Sequence, residues 1–209
     1  MKYLLIISSL LIFLCENTVA QMNVFRPAVI VRHDGTQIAC QARYPSANNA
    51  KEIHYKTAEK GATLKMKSTD IKTIRYFLKD DKVVEKEYIP YLNAVELERG
   101  RQNFAEPAWM DVLVRGKMTL YVRIVNQIYS QGRSMTYYYY YCKRENEKAA
   151  SEISYTNYND GSQIFRNYAF QFFSDHPTLS EKIKNNERGY TARFIEDIVR
   201  EYNISNFTQ

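Results

Sequence analysis

The sequence predicts an α+β protein: a mainly antiparallel β-domain, barrel-like or sandwich, followed by two to three C-terminal helices. Three observations predict it. Between about residues 24 and 158, apolar and polar residues alternate with period two in many short runs. Turn residues such as Asp34-Gly35, Lys60-Gly61 and Asp80-Asp81 separate those runs. From Gly161 onward the apolar period becomes that of a helix.

The chain opens with Met1-Lys2, an apolar run from Tyr3 to Leu14, and small residues in Thr18-Val19-Ala20. This is the pattern of a secretory signal peptide, residues 1–20, cleaved between Ala20 and Gln21. The run is too short to span a bilayer comfortably. Lipid attachment at Cys15 is disfavoured, because such sites want a small residue before the cysteine and Leu14 stands there. The expected layout is therefore leader 1–20, β-rich domain 21–158 and helical segment 159–209. The mature chain has no apolar run long enough to cross a membrane. Its expected location is periplasmic, outer-membrane-associated or extracellular.

The first expected element is a hairpin: Ala28 to Val31, a turn at Asp34-Gly35 supplying the positive φ angles a tight turn needs, and a return from Thr36 to Ala42. Glu52 to Lys56 reads as a short strand. Ser68-Thr69-Asp70 reads as a capped turn feeding a strand from Ile71 to Phe77. Asp80-Asp81 joins that strand to Val83–Tyr88, which Pro90 ends or places at a sheet edge. Residues 92–107 show no clear period. A hairpin follows from Trp109 to Val125. A three-residue turn, Arg115 to Lys117, is expected there, setting Met118 opposite Val114, because a one-residue slip would exchange the two faces.

Tyr137 to Tyr141 are five consecutive tyrosines, and tyrosine favours strands. Alternation puts Tyr138, Tyr140 and Cys142 on one face, expected to be buried. Tyr137, Tyr139, Tyr141 and Lys143 share the other, expected to be wet. The helical segment holds Ile164, Phe165, Tyr168, Ala169, Phe172 and Phe173 at helical spacing, with Ser162 as N-cap. His176-Pro177 breaks it and starts a short helix at proline's favoured first position. Thr191 caps a last helix with Phe194, Ile195, Ile198, Val199 and Tyr202 on its apolar stripe.

Charge and composition narrow the function. The net charge is +6, from 29 basic and 23 acidic residues, and no block of like charge occurs. Such a surface suits weak attraction to anionic polymers rather than nucleic-acid binding. The mature chain keeps Cys40 and Cys142; two cysteines could pair in an oxidising compartment, or stay as free buried thiols. Neither a CxxC pair nor zinc spacing is present, so no metal and no cofactor is expected. His33, His54 and His176 stand far apart without a ligand motif, and no nucleophile elbow or phosphate loop occurs. Asn203-Ile204-Ser205 and Asn206-Phe207-Thr208 match the glycosylation sequon, relevant only to a eukaryotic secretory route.

Several stretches carry a resemblance. The hairpin Val31 to Ile38, the central Val112 to Tyr121, and the tail Phe173 to Pro177 with Ile195 to Asn203 resemble uncharacterised exported proteins common in Bacteroidota. The resemblance implies a Gram-negative envelope setting and brings no activity or site residues with it.

The function these features favour is a non-enzymatic binding module of the cell envelope. Its partner would be an envelope polysaccharide or a protein, held by Tyr137, Tyr139 and Tyr141, since tyrosine joins an apolar ring to a polar tip. Two other readings compete: a hydrolase whose residues converge only in the fold, and a structural subunit of an envelope assembly.

Overall fold

Residues 24–93, 105–129, 132–156 and 162–205 are described by the structure, a computed structural model. The leader, Cys15 and the Ala20–Gln21 cleavage point lie outside the described residues, as does Asn206. Ten strands, nearly all antiparallel, precede three helices among the described residues. The chain divides into two compact units, Met1–Glu85 and Lys86–Gln209. The boundary between these units falls inside a strand.

The first unit contains β1 (Arg26–Arg32), β2 (Gln37–Ala42), β3 (Glu52–Lys56), β4 (Leu64–Lys67) and β5 (Ile71–Phe77). They form antiparallel neighbours in the order β5-β1-β2-β3-β4. Their apolar positions meet in a core of Ile30, Ile53, Ile71, Ile74 and Tyr76. The first hairpin forms as expected, but only Gly35 takes a positive φ, 85°. Asp34 instead accepts a hydrogen bond from the Thr36 amide at 2.9 Å. This is the three-residue turn in which glycine alone needs left-handed backbone. At the next hairpin Asp80 and Asp81 both take left-handed backbone, φ 59° and 54°. That is the geometry matching the twist of the flanking strands.

Strand β6 (Val83–Leu92) leads from the first unit into the second, which adds β7 (Ala105–Val114), β8 (Met118–Ile128), β9 (Ser134–Arg144) and β10 (Ala150–Thr156). Here the order is β10-β9-β8-β7-β6, and β10 also pairs in parallel with β6 through Ala150↔Tyr91 and Ser151↔Leu92. That pairing closes the strands on themselves, so of the two expected architectures the second unit has the barrel-like one. Two sequence expectations are corrected. Pro90 does not end its strand: β6 runs on to Leu92, and the proline sits at a pairing irregularity between Ile89 and Tyr91, where no ladder amide is needed. Val114 faces Leu120 rather than Met118 or Lys117. A bulge between Val112 and Val114 adds one residue and turns Val114 to the opposite face from Val112.

Both faces of this closed sheet are covered. The interior holds Ala108, Met110, Tyr121, Tyr141 and Ala150. The exterior carries Val114, Met118, Leu120, Cys142 and Ile153, over which the helices pack: α1 (Ser162–Phe172), α2 (Pro177–Lys184) and α3 (Ile195–Ile204). Phe165, Phe173, Leu179, Ile183, Ile198 and Val199 are almost fully buried there. Each contributes roughly 1.5–3 kcal/mol of burial. The α2 start is as expected, with Pro177 at its first turn, and the His176 side chain accepts from the Leu179 amide. Thr191 makes no side-chain cap; a short 3₁₀ turn, Ala192–Phe194, leads into α3 instead. Cys40 and Cys142 are both free thiols.

Candidate binding face

Strand alternation divides the tyrosine run as the sequence predicts. Tyr140 packs towards the helices with Cys142. Tyr137, Tyr139 and Tyr141 share the other face, opposite Val125, Arg123 and Tyr121 of β8. That face is not uniformly wet. Tyr141 is fully buried, because closure of β10 on β6 places it inside the barrel. Tyr141 is therefore a core residue, and its ring offers no surface for stacking. Tyr137 and Tyr139 lie farther along the strand and stay half-buried.

Tyr155 of β10 pairs with Tyr139. The three rings form a row: Tyr137 and Tyr139 have centroids 6.2 Å apart and planes tilted 33°, Tyr139 and Tyr155 5.8 Å and 31°. Tyr129 extends the row, its hydroxyl 2.5 Å from that of Tyr137 and 2.8 Å from Gln127 Oε1. Burial, then the nearby charge of Glu152, push the Tyr139 hydroxyl above its ordinary value. It stays protonated and able to donate.

Arg123 stands at the inner end of this row. Its guanidinium carbon lies 4.6 Å from the Tyr91 ring centroid, 5.1 Å from Tyr139 and 5.7 Å from Tyr141, a cation–π cage. Nη1 donates to the Tyr91 hydroxyl at 2.9 Å. Nε and the Tyr141 hydroxyl are both buried, and apart from the Arg123–Tyr141 contact itself neither has a partner. Deeper in the barrel, the buried Glu87 carboxylate accepts from the Tyr121 hydroxyl and from Arg115 Nη2, both at 2.7 Å. Burial and the Glu87 charge raise the Tyr121 pKa far out of reach, so this hydroxyl too remains a donor.

Other polar clusters are internally saturated. Arg144 holds Asp175 through two bonds of 2.9 and 3.0 Å, reaches Glu147 at 2.9 Å and donates to the Phe172 carbonyl at 2.6 Å. Lys182 and Tyr190 both reach Glu201. A cleft of about 640 Å³ runs between β10 and α1, lined by Glu152, Asn167, Tyr168 and Gln171 among others. His33 lies in the first turn, His54 in β3, and His176 is occupied in capping α2. Among the described residues no three His, Cys, Asp or Glu side chains are grouped to hold a metal, and no helix is long and apolar enough to cross a membrane.

Sequence reasoning singled out Tyr137 and Tyr139 but missed Arg123, Tyr91, Tyr129 and Tyr155. Arg123 carried a faint signal, a cation inside an otherwise apolar alternating strand. The tyrosines of other strands join the row only through pairing. No protein-family model, curated protein or solved structure matches this chain.

Proposed function

We propose that this protein is an exported, non-enzymatic binding module that takes a glycan on the Tyr137–Tyr139–Tyr155 face. The observation that carries the reading is the row itself: three half-buried rings from two strands, tilted by only about 30° between neighbours. Sugar rings present apolar C–H faces and a rim of hydroxyls. Tyrosine offers an apolar ring and a hydroxyl to match. The strands hold the rings in place before binding, which lowers the ordering cost. Export and an envelope setting come from the leader pattern and the resemblance of the chain.

Calorimetry of the purified protein against envelope and plant glycans tests this. Tyr137→Ala and Tyr139→Ala are each expected to weaken a binding glycan about tenfold, roughly 1.4 kcal/mol. Affinity unchanged in a well-folded double variant would refute the assignment.

A second reading, a subunit of an envelope assembly, is favoured by the end of the β8–β9 ribbon. Ile128 is 82 % exposed and Ile124 40 %, with Met135 and Tyr129 also open. Capture of an outer-membrane protein that is lost on Ile128→Asp, without any glycan signal, would favour it.

A further inference from the structure

We propose that Arg123 is a specificity residue for a carboxylate, so that the glycan taken by this face is an acidic, uronate-bearing polysaccharide. The inference rests on the stacking function proposed above and names its ligand class.

Within the same unit, Arg115 and Arg144 each hold a carboxylate at 2.7 and 2.9 Å. Arg123 has no carboxylate at ion-pair distance among the described residues. One of its N–H groups is spent on Tyr91, and the buried side of the guanidinium faces the Tyr141 hydroxyl. Three tyrosine rings at 4.6 to 5.7 Å fix the guanidinium. The guanidinium is half-buried, and the N–H groups of Nη2 with the second N–H of Nη1 are left to form a planar fork that matches a carboxylate in two parallel bonds. Tyr139 belongs both to the ring row and to the Arg123 cage. A sugar stacked on Tyr139 therefore brings a substituent towards Arg123. The net charge of +6 favours an acidic polymer at long range as well.

The test compares oligogalacturonate, alginate and hyaluronan oligosaccharides with their methyl esters, which keep the rings and remove the charge. Binding to the full mature protein is measured at two salt concentrations. The acid form of a binding oligosaccharide is expected to bind at least about tenfold tighter than its ester. Arg123→Gln should abolish that preference, and Arg123→Lys, which keeps charge but loses the fork, should retain only part of it. Near-ultraviolet circular dichroism of the tyrosines checks that the variants are folded. If Arg123→Gln does not fold, the acid–ester ratio in the native protein and in Arg123→Lys decides. Equal affinity for acid and ester overturns the carboxylate inference and leaves stacking intact. A preference that survives in Arg123→Gln, or vanishes at the higher salt, assigns it to net charge and also overturns the inference. Binding of neither form overturns the inference together with the stacking function.

Discussion

Asn203 of α3 and Met118 of β8 exchange two hydrogen bonds. The Met118 amide donates to Asn203 Oδ1 at 2.8 Å, and Asn203 Nδ2 donates to the Met118 carbonyl at 2.9 Å. A side-chain amide thus completes the start of β8 as a neighbouring strand would, and it fastens the last helix to the β7–β8 hairpin. Gly116 makes the approach feasible: a Cβ there would lie 2.4 Å from the Asn203 amide. Asn203→Ala strands a backbone donor and acceptor and should cost about 1–3 kcal/mol in denaturant unfolding. Gly116→Ala should be similarly costly, by displacing the same amide. The two share one mechanism, so the double variant should lose less than the sum. Additive losses would show that the contacts act independently.

Acid sensitivity should centre on Asp175. Burial alone would raise its carboxyl, but hydrogen bonds from Arg144 and Tyr202 outweigh burial and hold it below its ordinary 3.8. A carboxylate with a lowered folded-state pKa contributes stability that is complete above its unfolded value. That contribution is lost as pH falls through the folded value, so the effect lies below about pH 4. Asp175→Asn should lower stability at neutral pH and flatten this part of the acid limb. Urea midpoints measured from pH 2 to 7 test it; an acid limb equally steep in the variant would contradict it.

Left-handed backbone at Asp80 and Asp81 costs more for aspartate than for glycine. Asp81→Gly gives the Asp-Gly pair that such turns prefer. It should raise stability by roughly 0.5–1 kcal/mol, read from the chemical denaturation midpoint. A loss would mean that the carboxylate holds the turn in a way its backbone angles do not show.

What the sequence revealed was local. The Asp34-Gly35 and Asp80-Asp81 hairpins, the Glu52–Lys56 strand and the α2 start at Pro177 follow from neighbours in the chain. The barrel closure does not. It rests on two residue pairs, Ala150↔Tyr91 and Ser151↔Leu92, between segments some sixty positions apart. Closure is why Tyr141 was misplaced: alternation assumes one wet face, and here the helices cover one side while the barrel encloses the other. The bulge beside Leu113 is likewise invisible in a regular period, and it moved Val114 out of its expected register. Of the candidate face, Tyr137 and Tyr139 were legible because they share a strand. Arg123, Tyr91 and Tyr155 needed the pairing.

Cys142 lies under the helices, and burial pushes its thiol far above the ordinary value. Cys40 is half-buried and shifted the same way by the same cause. Neither is paired. Thiol titration of the mature protein should find two reducible-reagent-independent thiols after unfolding. In the native state Cys142 should label only at the rate of opening, more slowly than Cys40. A quantitative disulfide in protein purified without reductant would contradict both the free thiols and their order.

Tyr121 and Tyr141 face each other across β8 and β9, yet deletion of their hydroxyls should differ in cost. Both are buried. The Tyr121 hydroxyl donates to the Glu87 carboxylate, whose burial makes every donor count. Tyr121→Phe leaves that charge short of a partner and should cost about 1–3 kcal/mol. The Tyr141 hydroxyl has no partner but the Arg123 guanidinium, at a contact too poorly aligned to count as a full hydrogen bond. Tyr141→Phe keeps the ring and should change stability by less than about 1 kcal/mol. A loss on Tyr141→Phe as large as that on Tyr121→Phe, read from denaturant midpoints, would show that the two hydroxyls are equally well partnered.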